Sequence, residues 1–245
     1  MKWTQGTVER KVVWAPGLFT LRVKCPQVEA FEPGQFLQLG LELDGHHVNR
    51  PDSAASPFGE SLEFFIVVVE EGRLTPRLWK LQPGDKLDVS EKAAGSFTLS
   101  HCPDASVLWL LATGTGIAPY IAMLRTAAPW QRYKRVVFVH GVRRACDLAY
   151  QTELSDYAAR YGNRFRYAPV ISREEKPGTL PGRITACLAN GSLENVVDQP
   201  LTPDACVMMC GNPDMLDETQ KLLELRGLKK HRAKAPGQIV VERYW

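Results

Sequence analysis

The sequence SVLWLLATGTGIAPY, residues 106–120, joins an apolar run to a helix-compatible segment through a turn with two glycines. A continuous apolar run is typical of a strand buried on both faces of a parallel sheet. Gly114 and Gly116 allow a sharp turn and a close approach of phosphate to backbone N–H groups, and a following helix would favour the negative charge. The turn, with Thr113 and Thr115, predicts a nucleotide-phosphate site or, alternatively, a tight connection without a ligand.

From about residue 104 onward, buried strand-like runs alternate with helical stretches. This β-α-β alternation predicts a parallel sheet with helices on both faces and ligands outside the carboxyl ends of its strands. The strand-like runs are residues 106–112, 135–141, 164–172 and 206–211, and the helical stretches are residues 120–128, 148–162 and 215–228.

Residues 1–100 show a different rhythm, in which short apolar runs are punctuated by Gly and Pro. Their spacing predicts an antiparallel barrel or sandwich. Near residue 75 the pattern changes: Thr75 is a candidate N-cap and Pro76 suits a first helical turn, which predicts a short helix whose N-terminus attracts anions. The strand-like runs are residues 7–14, 18–25, 35–43, 62–69 and 86–90.

The length of 245 residues predicts two domains, which we place at residues 1–101 and 102–245. The expected fold class is two-domain α+β: an N-terminal antiparallel β-barrel followed by a C-terminal α/β domain with a parallel sheet that binds nucleotide. A content of 44% hydrophobic and 23% charged residues is typical of a globular protein. No apolar run approaches the ~20 residues of a membrane helix, and the start resembles no signal peptide, so we expect a cytoplasmic protein without membrane association.

Cysteine spacing and charge exclude several classes of function. The six cysteines match neither zinc-ribbon pairs nor an iron-sulfur module, so we expect no metal. Residues 1–100 carry 11 Lys/Arg against 13 Asp/Glu, whereas the remainder carries 19 against 14. This modest basic excess does not favour nucleic acid, but it suits a nucleotide and an acidic protein partner.

Four arginines follow two successive predicted strand ends. Arg143 and Arg144 follow residues 135–141, and Arg173 and Arg183 follow the next strand. Guanidinium groups bind phosphate through paired hydrogen bonds, so convergence of these side chains predicts a clamp for a 2′-phosphate and favours NADP over NAD. The alternative is that the arginines are solvated on loops.

The last predicted buried strand ends at Cys210, Gly211 and Asn212, followed by Pro213 and Asp214. A small thiol next to a glycine leaves room for a flat ring against the strand end. Cys210 can equally be a small buried hydrophobic residue. Its position at the same predicted sheet edge as the two-glycine turn favours the ring site.

An Arg-x-x-Ser segment at Arg50, the TGTGIAP turn and the CGNP segment, in this order, resemble the ferredoxin (flavodoxin):NADP reductase family of bacterial type. The resemblance extends from the first strand to Trp245. It implies a FAD-binding barrel followed by an NADP-binding α/β domain. It also implies hydride transfer between NADPH and FAD, and single-electron exchange with ferredoxin or flavodoxin.

Within this resemblance, the family's Arg-x-Tyr-Ser flavin motif reads Arg50-Pro51-Asp52-Ser53. Arg50 would hold the pyrophosphate and Ser53 would hydrogen-bond near the reactive flavin nitrogen. Asp52 replaces an aromatic ring that stacks on the flavin, and loss of stacking worth about 0.5–1.5 kcal/mol predicts weaker FAD retention. The second flavin segment corresponds to Ile66, Val67, Val68, Val69, Gly72, Arg73, Leu74 and Thr75.

The chain ends in Glu242-Arg243-Tyr244-Trp245, which resembles the family's bacterial ending. This implies that Glu242 lies near the nicotinamide and that the aromatic tail, Tyr244 and Trp245, returns to the flavin; simple docking of the tail onto the barrel is the alternative. The implied catalytic residues are Ser53, Cys210 and Glu242.

The implied partner is a separate acidic ferredoxin or flavodoxin, which suits the basic second half, and we expect a monomer. The basic residues include Arg226, Lys229, Lys230, Arg232 and Lys234, although such a run is also typical of a solvated loop. Two other functions remain open. One is the reductase component of an oxygenase or cytochrome system, and the other is a nucleotide-binding regulatory module that Asp52 has deprived of flavin.

Overall fold

The computed structural model describes residues 1–243, which form two compact units. The first contains Met1–Leu99 and Ala118–Thr126, and the second contains Ser100–Ile117 and the chain from Ala127 onward. The boundary between residues 101 and 102 that we inferred from sequence remains a prediction.

The first unit is a six-stranded antiparallel sheet with the strand order β4-β3-β6-β1-β2-β5. Its two edges meet where Ala54 bridges Phe64 and the Ala55 N–H donates to the Glu63 carbonyl at 2.7 Å, which closes the sheet into a barrel-like form. The strands are β1 (Trp3–Ala15), β2 (Leu18–Lys24), β3 (Phe36–Leu43), β4 (His46–Ser53), β5 (Ser61–Val67) and β6 (Lys86–Ser90).

Helix α1 (Thr75–Leu78) begins one residue earlier than expected, because Thr75 is its first residue and not its N-cap. The Thr75 hydroxyl instead accepts a hydrogen bond from the Val69 N–H at 2.8 Å and holds the beginning of the preceding loop. Pro76 lies in the first turn, as the sequence predicts. The result is a single helical turn whose Leu78 packs into the barrel core.

Helix α2 (Ala118–Leu124) belongs to the first unit. Just after it, Arg125 donates to the Ala55 carbonyl at 2.9 Å and forms an ion pair with Glu63 at 2.7 Å. The same guanidinium therefore holds the strand closure described above.

The second unit is a parallel sheet with the order β10-β9-β8-β7-β11-β12, flanked by helices, so the predicted two-domain fold class is confirmed. Its strands are β7 (Val107–Thr113), β8 (Arg135–Val142), β9 (Phe165–Ile171), β10 (Leu180–Pro181), β11 (Ala205–Gly211) and β12 (Ile239–Arg243). Its helices are α3 (Ala128–Arg132), α4 (Gln151–Tyr161), α5 (Ile184–Ala189), α6 (Ser192–Val197) and α7 (Pro213–Leu225).

The strand order reverses between β7 and β11, since the chain first adds β8, β9 and β10 on one side of β7 and then places β11 and β12 on the other. In open parallel sheets, ligands bind beyond the carboxyl ends of the strands at such a switch point. The two sequence motifs TGTG and CGNP follow these two strands. Among residues 1–243, no helix has the length and apolar character required to cross a membrane.

Candidate functional site

The turn after β7 is a short 3-10 segment, Gly114–Ile117, that leads into α2. Gly114 has φ +53°, a left-handed conformation that disfavours other residues. Its carbonyl oxygen lies 3.1 Å from Nε2 of His140, a residue buried near the end of β8. The turn is therefore held by a side chain from the neighbouring strand.

Two close backbone approaches join the TGTG turn to the CGNP segment. A Cβ atom on Gly116 would lie 2.6 Å from the Cys210 carbonyl oxygen, and one on Gly211 would lie 2.3 Å from Oγ1 of Thr113. The Thr113 hydroxyl also accepts a hydrogen bond from the Asn212 N–H at 2.8 Å. Gly116 therefore allows the backbones of the two motifs to come into close contact.

A single row of side chains crosses the carboxyl end of the sheet. Strand pairing aligns His140 with Ala112, Ala112 with Cys210, and Cys210 with Glu242. Side chains alternate between the faces along each strand, so aligned residues share one face, opposite the core side chains of Leu111 and its neighbours. The structure therefore brings together Cys210 and Glu242, two of the proposed catalytic residues.

Burial sets the protonation of this row. It raises the pKa of the Cys210 thiol well above its ordinary value, with a smaller contribution from the negative charge of Glu242. It also raises the pKa of the half-buried Glu242 carboxyl, and it lowers the pKa of His140 to about 4. At neutral pH the row therefore presents an uncharged thiol and an uncharged imidazole.

Asn212 has a structural duty besides its place in the proposed nucleotide site. Its side-chain oxygen accepts the Asp214 N–H at 2.9 Å and the Met215 N–H at 3.3 Å, which caps helix α7. Such caps stabilise a helix by typically ~1 kcal/mol. Asp214 lies in the first turn, where its negative charge suits the helix dipole.

The four arginines lie beyond the carboxyl ends of β8 and β9. The Arg173 N–H donates to the Arg143 carbonyl at 3.0 Å, so the two loops run side by side, and Arg144 follows directly. Arg183 precedes α5, after a turn in which Gly182 N–H bonds Ile171. All four side chains are exposed, and none forms an ion pair within the described part of the chain.

In the barrel, the Arg50-to-Ser53 segment forms the end of edge strand β4. Arg50 and Pro51 are exposed, and Ser53 is buried. Asp52 is half-buried, and its Oδ1 atom is buried without a hydrogen-bond partner among residues 1–243. Burial raises the pKa of this carboxyl well above its ordinary value, because a buried charge without a compensating partner is unfavourable.

The second flavin segment lies at the end of β5 and in the following loop. Ile66 and Leu74 are buried in the barrel core, whereas Val67 and Val69 are exposed. The remaining proposed residues here are half-buried Val68, Gly72 and Thr75 and exposed Arg73. Tyr244 and Trp245, the proposed aromatic tail, lie outside the described residues.

Arg226, one of the basic residues considered above, is held by contacts within its own unit. Its guanidinium donates to Glu194 at 2.8 Å and to the Leu188 carbonyl at 2.7 Å, so it ties α7 to α5 and α6. Lys229, Arg232 and Lys234 are exposed.

Sequence reasoning missed His140, because a histidine inside the apolar run RVVFVHG gives no periodic signal. The position two residues before the strand end was the available clue, since β8 adjoins the strand that carries the turn.

Comparison with known proteins agrees with this geometry. Residues 110–221, which contain both motifs, match the family described as "Oxidoreductase NAD-binding domain". The chain is an oxidoreductase.

Relatives that span the whole chain define the family more narrowly. The flavodoxin/ferredoxin–NADP reductases of Shigella flexneri and Escherichia coli K12 are 43% and 42% identical over 99% of both chains. A ferredoxin NADP+ reductase from Neisseria gonorrhoeae, solved with bound FAD and NADP, is 31% identical with a TM-score of 0.94 over 100% of both chains. The chain belongs to the flavodoxin/ferredoxin–NADP reductase family.

Proposed function

We propose that this chain is a FAD-dependent reductase that exchanges electrons between NADPH and ferredoxin or flavodoxin. The observation that carries the proposal is the junction of the TGTG and CGNP segments at the sheet's switch point, with Cys210 and Glu242 side by side next to it. The identity of 43% over nearly the full length of the Shigella relative supports the same activity.

The NADP end of the site rests on Arg143, Arg144, Arg173 and Arg183. Exposed guanidinium groups on two adjoining loops, with no anionic partner in the described part of the chain, fit a phosphate group. The backbone of Thr113, Gly114, Thr115 and Gly116 fits the pyrophosphate beside them. NADP carries a 2′-phosphate that NAD lacks, so these arginines should favour NADP over NAD.

The residues of the barrel also fit a flavin. Arg50 is exposed at the strand end and suits a pyrophosphate, and Ser53 offers a hydroxyl. The buried Oδ1 atom of Asp52, which has no hydrogen-bond partner among residues 1–243, is an unused polar group at the end of this segment. When bound, FAD supplies two-electron hydride chemistry and one-electron exchange, which side chains do not supply.

The row of side chains at the carboxyl end of the sheet has two further roles in the site. Cys210, a small uncharged thiol, orients the nicotinamide by contact and excludes water. Glu242 holds a proton more readily than an ordinary glutamate, because burial raises its pKa. The Glu242 carboxyl therefore serves as a polar or proton-handling neighbour of the reacting rings.

For the protein partner we propose an acidic carrier that meets exposed basic residues such as Lys229, Arg232 and Lys234. Attraction between opposite charges accelerates the encounter of the two proteins, and salt weakens this attraction. We further propose a cytoplasmic monomer.

Asp52 favours one rival function, a nucleotide-binding regulator without flavin. The FAD-supplemented chain should reduce ferredoxin or flavodoxin with NADPH, at rates that fall as ionic strength rises. Binding of NADP+ together with no FAD binding and no carrier reduction would favour the regulator.

A further inference from the structure

A second cluster of chemically reactive side chains lies at the opposite end of the parallel sheet. Cys206 is the second residue of β11 and pairs with Leu108 at the beginning of β7, and Cys102 lies in the segment that precedes β7. Cys206 lies four positions before Cys210, a distance of about 13 Å along a strand. The cluster is therefore distinct from the nucleotide site.

The two thiols are in contact. The Cys206 side chain hydrogen-bonds the Cys102 side chain, and the buried Tyr133 side chain lies close to both. Cys206 is fully buried and Cys102 is 6% exposed. Only a small reagent can reach this pair, and it reaches Cys102 first.

Arg132 anchors the segment that carries Cys102. Its guanidinium donates to the Cys102 carbonyl at 2.5 Å and to the Pro103 carbonyl at 3.1 Å. The backbone position of the thiol is thereby fixed beside a positive charge. A nearby cationic group favours the thiolate form of a cysteine, and the thiolate is the reactive form.

The protonation of the pair is asymmetric. The hydrogen bond from Cys206, followed by the charge of Arg132, lowers the pKa of Cys102 despite its burial. The contact with Cys102, followed by burial, raises the pKa of Cys206. Cys102, which is the more exposed of the two thiols and lies beside the Arg132 guanidinium, is the one that a reagent attacks first, and Cys206 is its neighbour.

We propose that Cys102 and Cys206 are an oxidation site, at which hydrogen peroxide converts the pair to a disulfide. The Cys102 sulfur attacks one peroxide oxygen, the O–O bond breaks, and the departing hydroxide takes up the thiol proton as water, which leaves a sulfenic acid. The Cys206 sulfur then attacks the Cys102 sulfur, and the S–O bond breaks as a second water forms. Two thiols are oxidised by two electrons and one peroxide is reduced to two waters.

The other cysteines provide internal references. Cys146 is exposed, and Cys25 is buried with a pKa that burial raises to about 11. A metal site at the pair is not supported, because no group of three or more His, Cys, Asp or Glu side chains with metal-binding geometry occurs among residues 1–243.

The test is peptide mapping by mass spectrometry after treatment of the full chain with hydrogen peroxide. A Cys146→Ser background removes the exposed thiol, which would otherwise link two chains. We expect a Cys102–Cys206 peptide that a dithiol reductant separates, and a higher melting temperature, because the bond closes a long loop of the unfolded chain. NADP+ affinity should be unchanged, since the pair lies away from Cys210.

Two variants identify the order of events. In Cys206→Ala, a dimedone-type reagent should trap the sulfenic acid on Cys102, whereas in Cys102→Ser no sulfenic acid should form on Cys206. The proposal is overturned if Cys102 in the parent chain reacts no faster than Cys25, or if folded protein yields no Cys102–Cys206 linkage. Because these outcomes are measured in chains that retain both Cys102 and Cys206, poor folding of Cys206→Ala or Cys102→Ser does not remove the test.

Discussion

The Nε2 atom of His140 lies 3.1 Å from the carbonyl oxygen of Gly114. A carbonyl accepts only, so the neutral ring carries its proton on Nε2 and donates it to the turn. Its other nitrogen, Nδ1, is buried without a partner in the described structure. One side chain of β8 thus fixes the conformation of a glycine in the neighbouring turn, which we propose binds phosphate.

Loss of this hydrogen bond should weaken NADP+ binding without abolishing the fold. For His140→Leu we expect a rise in Kd of about two- to tenfold, the equivalent of one ordinary hydrogen bond. His140→Gln retains an N–H group at a similar reach and should bind more tightly than the leucine variant. Calorimetric titration measures both values, and equal affinities for the two variants would contradict the role.

His140 should also make the protein sensitive to acid. Its pKa is about 4 in the fold against an ordinary 6.5, so the unfolded chain binds the proton first. This stabilising contribution is complete above about pH 6.5 and is lost as pH falls to about 4, for a total of about 3 kcal/mol. Urea unfolding across this range should show a smaller loss for His140→Gln than for the parent chain.

Gly116 should not tolerate a methyl group. In Gly116→Ala the new carbon would meet the Cys210 carbonyl oxygen at 2.6 Å, a backbone atom that cannot rotate away. We expect a loss of about 1–3 kcal/mol in the free energy of unfolding and weaker NADP+ binding. Gly59→Ala is the control, because its nearest neighbour lies at 3.9 Å. Matching melting temperatures for the two variants would refute the close approach.

The arginine clamp should distinguish the two nicotinamide nucleotides. Alanine at Arg143 or Arg173 should raise the Kd for NADP+ roughly tenfold or more, as expected for a charge-assisted bond, and leave the weaker NAD+ binding almost unchanged. Arg10→Ala, an exposed arginine of the barrel unit, should change neither. An equal loss of affinity for both nucleotides would contradict contact between these side chains and the 2′-phosphate.

Asp52 should limit flavin retention. Asp52→Tyr restores a stacking ring and should hold more FAD after gel filtration than the parent chain. Asp52→Asn removes the buried acid without adding a ring. It therefore separates the effect of the buried carboxyl from the effect of the missing stacking ring. Retention by the tyrosine variant no better than that of the parent would contradict this account.

The sequence predicted most of the fold through hydrophobic pattern. Strand β6 was expected over residues 86–90 and is found there, and β7, β8, β9 and β11 lie within a residue of their expected bounds. Edge strand β4 was missed because HHVNRPDS is polar and contains a proline, which an edge strand tolerates. The short β10, α5 and α6 and the late strand β12 gave too few periodic residues to detect.

The site was less accessible to sequence reasoning. Local chemistry marked the two glycine segments, but their contact through Gly116 and Cys210 depends on the strand order, which periodicity does not contain. The pairing of Arg226 with Glu194 was invisible for the same reason. The residues beyond Arg243 lie outside the described structure, and their proposed role stays a prediction.

The visible spectrum of the purified chain with added FAD, followed by anaerobic titration with NADPH and separately with NADH, tests the central claim most directly. The account predicts flavin absorption bands that NADPH bleaches at a much lower concentration than NADH. Flavin that never binds, or bands that the two nucleotides bleach at the same concentration, would contradict it.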